Sequence, residues 1–255
     1  MPQPDTYATG TPCWVDLATA DVDGGVAFYT AVLGWTDDEV PTDMGPPYHF
    51  MRVGGHAVAG LGPQPPEMSQ APALWTTYLA GDADEIAGRV AGAGGEVMGQ
   101  VMPIMDLGRI LLLADPTGAV TGVWEPGTFA GAELVNEPGA LTWNELNTPD
   151  LDASSRFLEQ VFGVTTQALD DAPSPYRTFS AGGDVRGGVQ QMGADAERFP
   201  PHWMTYFAVD DADATAASCR DHGGHVNVEP FDSPFGRMTV LTDPQGGVFM
   251  VVSSP

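Results

Sequence analysis

Two halves of this sequence repeat one another in register over nearly their whole length. Residues 14–35 match residues 143–164 at an offset of 129, with Trp14 aligned to Trp143. Further matches, at an offset of 128, are Pro47-Tyr48 with Pro175-Tyr176, Gly54-Gly55 with Gly182-Gly183, Gly108-Arg109 with Gly236-Arg237, and Asp115-Pro116 with Asp243-Pro244. A repeat this long indicates two duplicated modules rather than a solenoid of short repeats.

The length of the chain agrees with that division. Its 255 residues suit one large domain or two of about 120 residues each. We predict a first module over residues 1–126, a surface linker rich in Gly, Pro and Glu over residues 127–139, and a second module over residues 140–255.

The first half of each module predicts a strand, a helix and a hairpin. In module 1 the strand covers residues 13–19, and the helix begins after Asp21 as N-cap and ends at Gly34. Two short strands, residues 48–53 and 56–61, surround a Gly-Gly turn.

The second half of each module again predicts a strand and a helix, here followed by three strands. A strand over residues 75–80 leads into a helix over residues 83–91, and strands over residues 96–102, 109–114 and 120–125 follow. The last two strands are joined by a turn of sequence D-P-x-G. Each module is therefore βαβββ twice over, an α+β fold. The predicted helix caps are Asp21, Asp82, Asp150 and Asp210, and the predicted strand-end ion partners are Arg109 and Arg237.

Composition excludes several functions. Acidic residues number 34 against 9 basic ones, all of them Arg, which gives a formal net charge of -25. Without Lys the chain can form no Schiff base, and so acidic a surface should repel nucleic acid and anionic lipid. No secretory signal and no apolar run of about 18 residues is found, so we expect a soluble, cytoplasmic protein without membrane or nucleic-acid partners, as a monomer or homodimer.

The repeated motifs resemble those of one superfamily. The sequence D-x-D-x-x-x-x-F-Y-x-x-V-L-G-W over residues 21–35, the Gly-Gly hairpin and the D-P-x-G turns are similar to the vicinal oxygen chelate superfamily, which includes glyoxalases, extradiol dioxygenases and bleomycin-resistance proteins. The resemblance covers about residues 11–252 and implies two curled eight-stranded sheets, each around a cleft, with the helices outside.

Members of that superfamily include both metal enzymes and metal-free binders, so the fold alone does not decide function. The resemblance places the metal-ligand positions on four strands of each module. They are Trp14, Gly60, Thr76 and Gly122 in module 1, and Trp143, Gly188, Met204 and Met250 in module 2. None carries a carboxylate, imidazole or thiolate, so we predict no inherited metal site and no cofactor.

Aromatic residues and two carboxylates share the strand faces at these positions. Strand alternation puts Trp14 beside Asp16 and Trp143 beside Glu145, with one carboxylate in each module. The predicted ligand-binding residues are Trp14, Phe50, Tyr78, Trp124, Trp143, Met204 and Tyr206. Gly60 and Gly122 are expected to leave room near the former metal position. The alternative is structural: the aromatic residues fill the core, as alternation favours for Trp75 and Trp203, and the carboxylates bond local backbone or Arg.

Three functional hypotheses follow. The first is a metal-free protein that binds a bulky aromatic or hydrophobic metabolite, such as an antibiotic or polyketide, between aromatic walls. The second is a cofactor-independent tailoring enzyme, a hydroxylase, isomerase or lyase, with Asp16 or Glu145 as catalytic general base. The third, weaker hypothesis is a metal-dependent lyase or dioxygenase with relocated ligands among Asp16, Glu125, Glu145 and His202.

Overall fold

A computed structural model describes residues 6–42, 45–170, 172–193 and 199–254. It contains four consecutive βαβββ units, two in each module. Module 1 comprises β1 (Pro12–Thr19), α1 (Val22–Leu33), β2 (Thr36–Thr42), β3 (Gly45–Val53), β4 (His56–Pro63), β5 (Leu74–Ala80), α2 (Ala83–Val90), β6 (Glu96–Val97), β7 (Met102–Ile104), β8 (Gly108–Ala114) and β9 (Val120–Pro126). Module 2 comprises β10 (Leu141–Thr148), α3 (Leu151–Phe162), β11 (Thr165–Ala168), β12 (Tyr176–Ala181), β13 (Asp184–Gln191), β14 (His202–Ala208), α4 (Ala212–Asp221), β15 (His225–Ser233), β16 (Gly236–Thr242) and β17 (Val248–Ser253).

Each module forms one mixed sheet with its two units joined at the centre. The strand order of the first sheet is β2-β3-β4-β1-β5-β9-β8-β6, with β7 also paired to β8, and that of the second is β11-β12-β13-β10-β14-β17-β16-β15. The first strand of each unit pairs in parallel with the last strand of the same unit, which places Asp16 opposite Gly60 and Glu145 opposite Gly188. The predicted tandem α+β fold is confirmed, although the sheets do not close.

Three local predictions need correction. The stretch predicted as one strand over residues 96–102 forms two short strands, so the first sheet has nine strands instead of eight. Strand β2 was not predicted, because its sequence TDDEVPT is acidic and mostly exposed and shows no buried face. The N-cap of α4 is Asp211, whose side chain accepts from the Ala214 amide, and not Asp210. The other three caps, Asp21, Asp82 and Asp150, are confirmed.

The helices lie on the sheet faces opposite the clefts, and the modules meet there. Alternation sends Val15 and Leu17 of β1 into an apolar core with Phe28 of α1 and with Phe207 and Phe249 of module 2. A second core joins α2 and its strands to α3 and its strands. The two sheets therefore share their buried faces, and their clefts open on the far sides.

Two hydrogen bonds between D-P-x-G turns and helices connect the modules. The Asp115 carboxylate accepts two amides of its own turn and also accepts from the Ser154 hydroxyl of α3 at 2.5 Å. The Asp243 carboxylate does the same in module 2 and accepts from the Tyr29 hydroxyl of α1 at 3.0 Å. We call these two bonds the latches. They give the repeated D-P-x-G motif a role at the module interface.

Candidate functional site

An aromatic cavity of about 240 Å³ lies in the cleft of module 1. Its walls come from β1, β2, β3, β5, β7, β8 and β9, from the β7–β8 loop and from the linker. The lining residues are Trp14, Asp16, Val40, Thr42, Tyr48, Phe50, Tyr78, Ile104, Met105, Leu107, Ile110, Trp124 and Phe129. All five module-1 residues that the sequence predicted for a site therefore lie together around one cavity, and Asp16 supplies the one carboxyl group among its lining residues.

Strand alternation explains which side chains reach the cavity. On β1, Trp14 and Asp16 face it, whereas Val15 and Leu17 point to the helices. Trp75 belongs to the core, and its indole N–H donates to the Tyr29 hydroxyl at 3.0 Å. The same alternation places Trp203 in the other core, where it donates to Thr121 at 2.8 Å. The expectation that these two Trp residues point toward the helices is confirmed.

A hydrogen-bonded chain crosses the floor of the cavity. The Trp14 indole N–H donates to the Tyr48 hydroxyl at 3.0 Å, and Tyr48 donates to Asp16 Oδ2 at 3.5 Å. The Tyr78 hydroxyl donates to the same Oδ2 at 3.2 Å. Within the described residues no side chain or amide donates to Asp16 Oδ1. That oxygen keeps its capacity to accept a hydrogen bond from a ligand.

Two glycines make room for these tyrosines. A Cβ at Gly60 would overlap the Tyr48 hydroxyl, and a Cβ at Gly122 would overlap the Tyr78 ring. The sequence predicted that Gly60 and Gly122 leave space near the former metal position. The two glycines do leave space there, and the phenol rings of Tyr48 and Tyr78 occupy it.

Burial shifts the ionisation of this group strongly. Asp16 lies among apolar walls, and loss of hydration raises its pKa to about 7, although the two tyrosine hydroxyls partly offset the effect. The pKa values of Tyr48 and Tyr78 are raised well above the ordinary value by burial and by the neighbouring Asp16 charge. Near neutral pH the cavity therefore holds a carboxyl that can either accept or release a proton.

The second cleft repeats the chain with different partners. The Trp143 indole N–H donates to the Tyr176 hydroxyl at 3.1 Å, and Tyr176 and Tyr206 both hydrogen-bond the Glu145 carboxylate. Burial raises the pKa of Glu145. The Asn147 amide also approaches Glu145 Oε1, at 3.4 Å.

Met204 lies directly opposite Glu145 across the β10–β14 pair. The four module-2 residues predicted for a site, Trp143, Glu145, Met204 and Tyr206, therefore lie on neighbouring strands of the second sheet. Trp143 is partly exposed, whereas Trp14 in the first cleft is only 4% exposed.

Several residues of these sites were not predicted from the sequence, and three of them are aromatic. Tyr48 and Tyr176 belong to the repeated Pro-Tyr pair, and that repetition together with the repeated glycines at 60 and 188 could have indicated their role. Phe129 belongs to the predicted surface linker, yet it lines the cavity. No periodic pattern marks it. Arg109 and Arg237 form the predicted strand-end ion pairs, with Glu125 and Asp232 among their partners.

The side chains at the superfamily's metal positions do not fit a metal ion. Their places hold indole, thioether and hydroxyl groups or glycine, and within the described parts of the chain no three His, Cys, Asp or Glu side chains form a group that could hold one. The relocated ligands also lie apart: Asp16 and Glu145 belong to different clefts. Glu125 pairs with Arg109, and the His202 ring contacts the Pro200 carbonyl.

None of the described helices is long and apolar enough to span a bilayer. This finding covers residues 6–42, 45–170, 172–193 and 199–254.

Known proteins are similar to this chain in sequence or in fold. A model of the Glyoxalase/Bleomycin resistance protein/Dioxygenase superfamily matches residues 12–122 and 140–251. A Mycobacterium tuberculosis protein named "Putative glyoxylase CFP32" is 43% identical over 99% of this chain and 98% of its own length. The "Anthracycline biosynthesis protein DnrV" of Streptomyces peucetius is 36% identical over 96% of this chain and 94% of its own.

Among solved structures, the Mn(II)-bound glyoxalase of Novosphingobium aromaticivorans superposes with a TM-score of 0.66 at 18% identity, covering 96% of this chain and 82% of that one. At that identity the likeness concerns the fold. The matches to both modules and to full-length relatives settle the family. The chain belongs to the Glyoxalase/Bleomycin resistance protein/Dioxygenase superfamily.

Proposed function

We propose that the module-1 cleft binds a bulky aromatic or hydrophobic metabolite, such as an antibiotic or polyketide, without a metal ion at the strand positions. The observation that carries this proposal is a cavity walled by Trp14, Phe50, Trp124 and Phe129 that contains a single carboxyl group. Apolar pockets with one well-placed polar group are typical of small-molecule sites.

The wall geometry favours a flat ligand. Trp14 and Phe50 are tilted by 48° with ring centroids 5.8 Å apart, so their faces and edges together offer contact to a planar ring system. The free Asp16 Oδ1 would accept a hydrogen bond from a hydroxyl or N–H group at the ligand's edge. Burying this carboxyl costs free energy unless it is satisfied, so a ligand that supplies a donor is preferred over one that does not.

The relative from Streptomyces peucetius agrees with this ligand class, because its name places it in anthracycline biosynthesis. Anthracyclines contain fused aromatic rings with hydroxyl groups. A similar class of hydroxylated polycyclic compound suits the present cavity.

Calorimetric titration with 2-naphthol, 2-hydroxyanthracene and 1-hydroxypyrene tests the proposal. We expect at least one to bind, with one site per chain. Asp16→Asn should weaken that binding about tenfold, because a neutral amide oxygen accepts a weaker hydrogen bond than a carboxylate does. Glu145→Gln is the matched control in the other cleft and should change the Kd less than about twofold. No binding by any of the three compounds, or equal effects of the two variants, would contradict the proposal.

A second candidate function is supported by the ionisation of Asp16. A carboxyl whose pKa is raised to about 7 can serve as a general base near neutral pH, and the Tyr78 hydroxyl beside it can donate to a developing oxyanion. The protein would then be a cofactor-independent isomerase or lyase, or a hydroxylase that uses dioxygen as its oxidant. In that case Asp16→Asn abolishes turnover while ligand binding persists, whereas a binding protein has no turnover to lose. Glu145 is the alternative general base, and in that case Glu145→Gln abolishes turnover whereas Asp16→Asn does not.

A further inference from the structure

The first part of the linker, residues 127–133, contributes Phe129 to the cavity wall and is hydrogen-bonded at both of its ends. At its beginning, the amides of Gly127 and Phe129 donate to the Leu107 carbonyl of the β7–β8 loop at 2.8 and 3.1 Å. At its end, the Ala132 amide donates to the Cys13 carbonyl of β1 at 2.7 Å. We call residues 127–133 the strap. It runs from one side of the cleft to the other.

The end of the strap is fixed further by side chains. The Glu133 amide donates to the Ala57 carbonyl at 2.8 Å, and the Glu133 carboxylate accepts from the Ala57 amide at 2.7 Å. Ala132 is buried, and its carbonyl accepts from the Tyr7 hydroxyl at 2.6 Å. The path of the strap is therefore set by bonds to β1, β4 and the β7–β8 loop.

The Phe129 side chain projects from the strap into the aromatic wall. Its ring centroid lies 5.0 Å from that of Trp14 and 5.3 Å from that of Phe50, both in edge-to-face geometry. The Trp124 indole N–H donates to the Phe129 carbonyl at 2.9 Å, and the two rings are 6.0 Å apart. The backbone from which this ring projects cannot move away unless the strap loses several of its hydrogen bonds, and the three neighbouring rings pack against the side chain.

We propose that Phe129 is a specificity-determining residue that limits how large an aromatic ring system the module-1 cleft accepts. This inference rests on the proposed function, since it concerns the ligand of the same cavity. Phe129 fills the space between Trp14, Phe50 and Trp124, so a ligand with more fused rings competes with it for volume. Protein interiors are close-packed, and a pocket wall that cannot move rejects extra volume steeply.

A titration series on three variants tests this assignment. Kd values for 2-naphthol and 1-hydroxypyrene are measured by calorimetry with the wild type, Phe129→Ala and Phe129→Trp. Phe129→Ala should shift the ratio of the two affinities about tenfold toward 1-hydroxypyrene, and Phe129→Trp should shift it about tenfold toward 2-naphthol. Phe235→Ala, a substitution at a 68% exposed residue of module 2, is the matched control and should leave the ratio unchanged.

The outcomes separate this inference from the proposed function. If the wild type binds neither compound nor 2-hydroxyanthracene, both fail. If the wild type binds and the affinity ratio is the same in all variants, the cavity binds aromatics but the role of Phe129 is wrong. Circular dichroism reports folding. If Phe129→Ala does not fold, Phe129→Trp decides: a shift toward 2-naphthol supports the inference, and an unchanged ratio overturns it.

Discussion

The two clefts share one hydrogen-bonded chain and differ in their walls. In each cleft a Trp, a Tyr, a carboxyl group and a second Tyr are hydrogen-bonded in the same order. The carboxyl residues also have equivalent strand partners, since Asp16 pairs with Gly60 and Glu145 pairs with Gly188. The walls around these side chains differ. Phe50 pairs with Gly60 in module 1, whereas Thr178 pairs with the equivalent Gly188 in module 2. The strand register likewise places Trp124 at the position of Val252.

This difference separates what the fold needs from what a ligand needs. The hydrogen-bonded chain of side chains occurs in both modules, so it is compatible with either set of walls and serves to hold a buried carboxyl in place. The bulky aromatic walls occur in the first cleft, and Phe129 of the strap completes them. Aromatic binding should therefore depend on module 1, whereas the ionisation of the buried carboxyl should be similar in both.

The dependence of stability on pH is where the two clefts should agree. The pKa of Asp16 is raised to about 7, whereas the same carboxyl in the unfolded chain ionises near 4. Between about pH 4 and pH 7 the unfolded state releases this proton and the folded state keeps it, so the Asp16 contribution to folding falls as pH rises. Asp16→Asn removes the titration. Its free energy of unfolding should match the wild type near pH 4 and exceed it by about 2–4 kcal/mol at pH 8.

Urea denaturation at both pH values measures this difference. Glu145→Gln should show the same sign, because burial also raises the pKa of Glu145. If the difference in free energy of unfolding between Asp16→Asn and the wild type is no larger at pH 8 than at pH 4, Asp16 is well solvated. The equivalence of the two chains would then fail.

The glycines beneath the tyrosines allow a matched test of where binding occurs. A Cβ at Gly60 would overlap the Tyr48 hydroxyl, and a Cβ at Gly188 would overlap that of Tyr176. Gly60→Ala and Gly188→Ala should each destabilise the fold by about 1–3 kcal/mol, because a ring must move in a packed site. Only Gly60→Ala should also weaken binding of 2-naphthol, by about tenfold or more. Equal losses of affinity in the two variants would show that both clefts bind.

Removing the latches tests whether the two modules are equivalent at the interface where they meet. Tyr29→Phe leaves Asp243 Oδ2 without its partner in the other module, and Ser154→Ala does the same to Asp115 Oδ2. Each should cost about 1–3 kcal/mol in thermal or urea unfolding, since a buried carboxylate loses a donor. The Kd for 2-naphthol should stay within about twofold, because both bonds lie on the faces away from the clefts. A large change in affinity would show that the module interface influences the cavity.

The sequence predicted the fold well because the repeat and the turn residues act locally. Asp21, Gly34 and the D-P-x-G turns determine where elements begin and end, and alternation along β1 assigns Trp14 and Asp16 to one face. Strand β2 could not be predicted, since backbone pairing with β3 rather than a buried face holds it in the sheet.

The parts of the site that escaped prediction depend on contacts between distant segments. Tyr48 reaches Asp16 because Gly60 on another strand leaves room for its hydroxyl. Phe129 enters the cavity because the strap is bonded to the β7–β8 loop and to β1, contacts separated by many residues along the chain. The repeated Tyr and Gly positions could have indicated the first of these contacts, whereas no composition or spacing signal marks Phe129.

The smallest difference between the two hydrogen-bonded chains is the Asn147 amide beside the Glu145 carboxyl. Asn147 approaches Glu145 Oε1 at 3.4 Å, and Ala18 occupies the matching place on β1, two residues after Asp16. A donor to a carboxylate favours its charged form, so Asn147→Ala should raise the pKa of Glu145. Ala18→Asn should lower the pKa of Asp16 by a similar amount. Carbon-13 chemical shifts of the two carboxyl carbons, followed against pH, measure both changes, and opposite signs are required if the chains are equivalent.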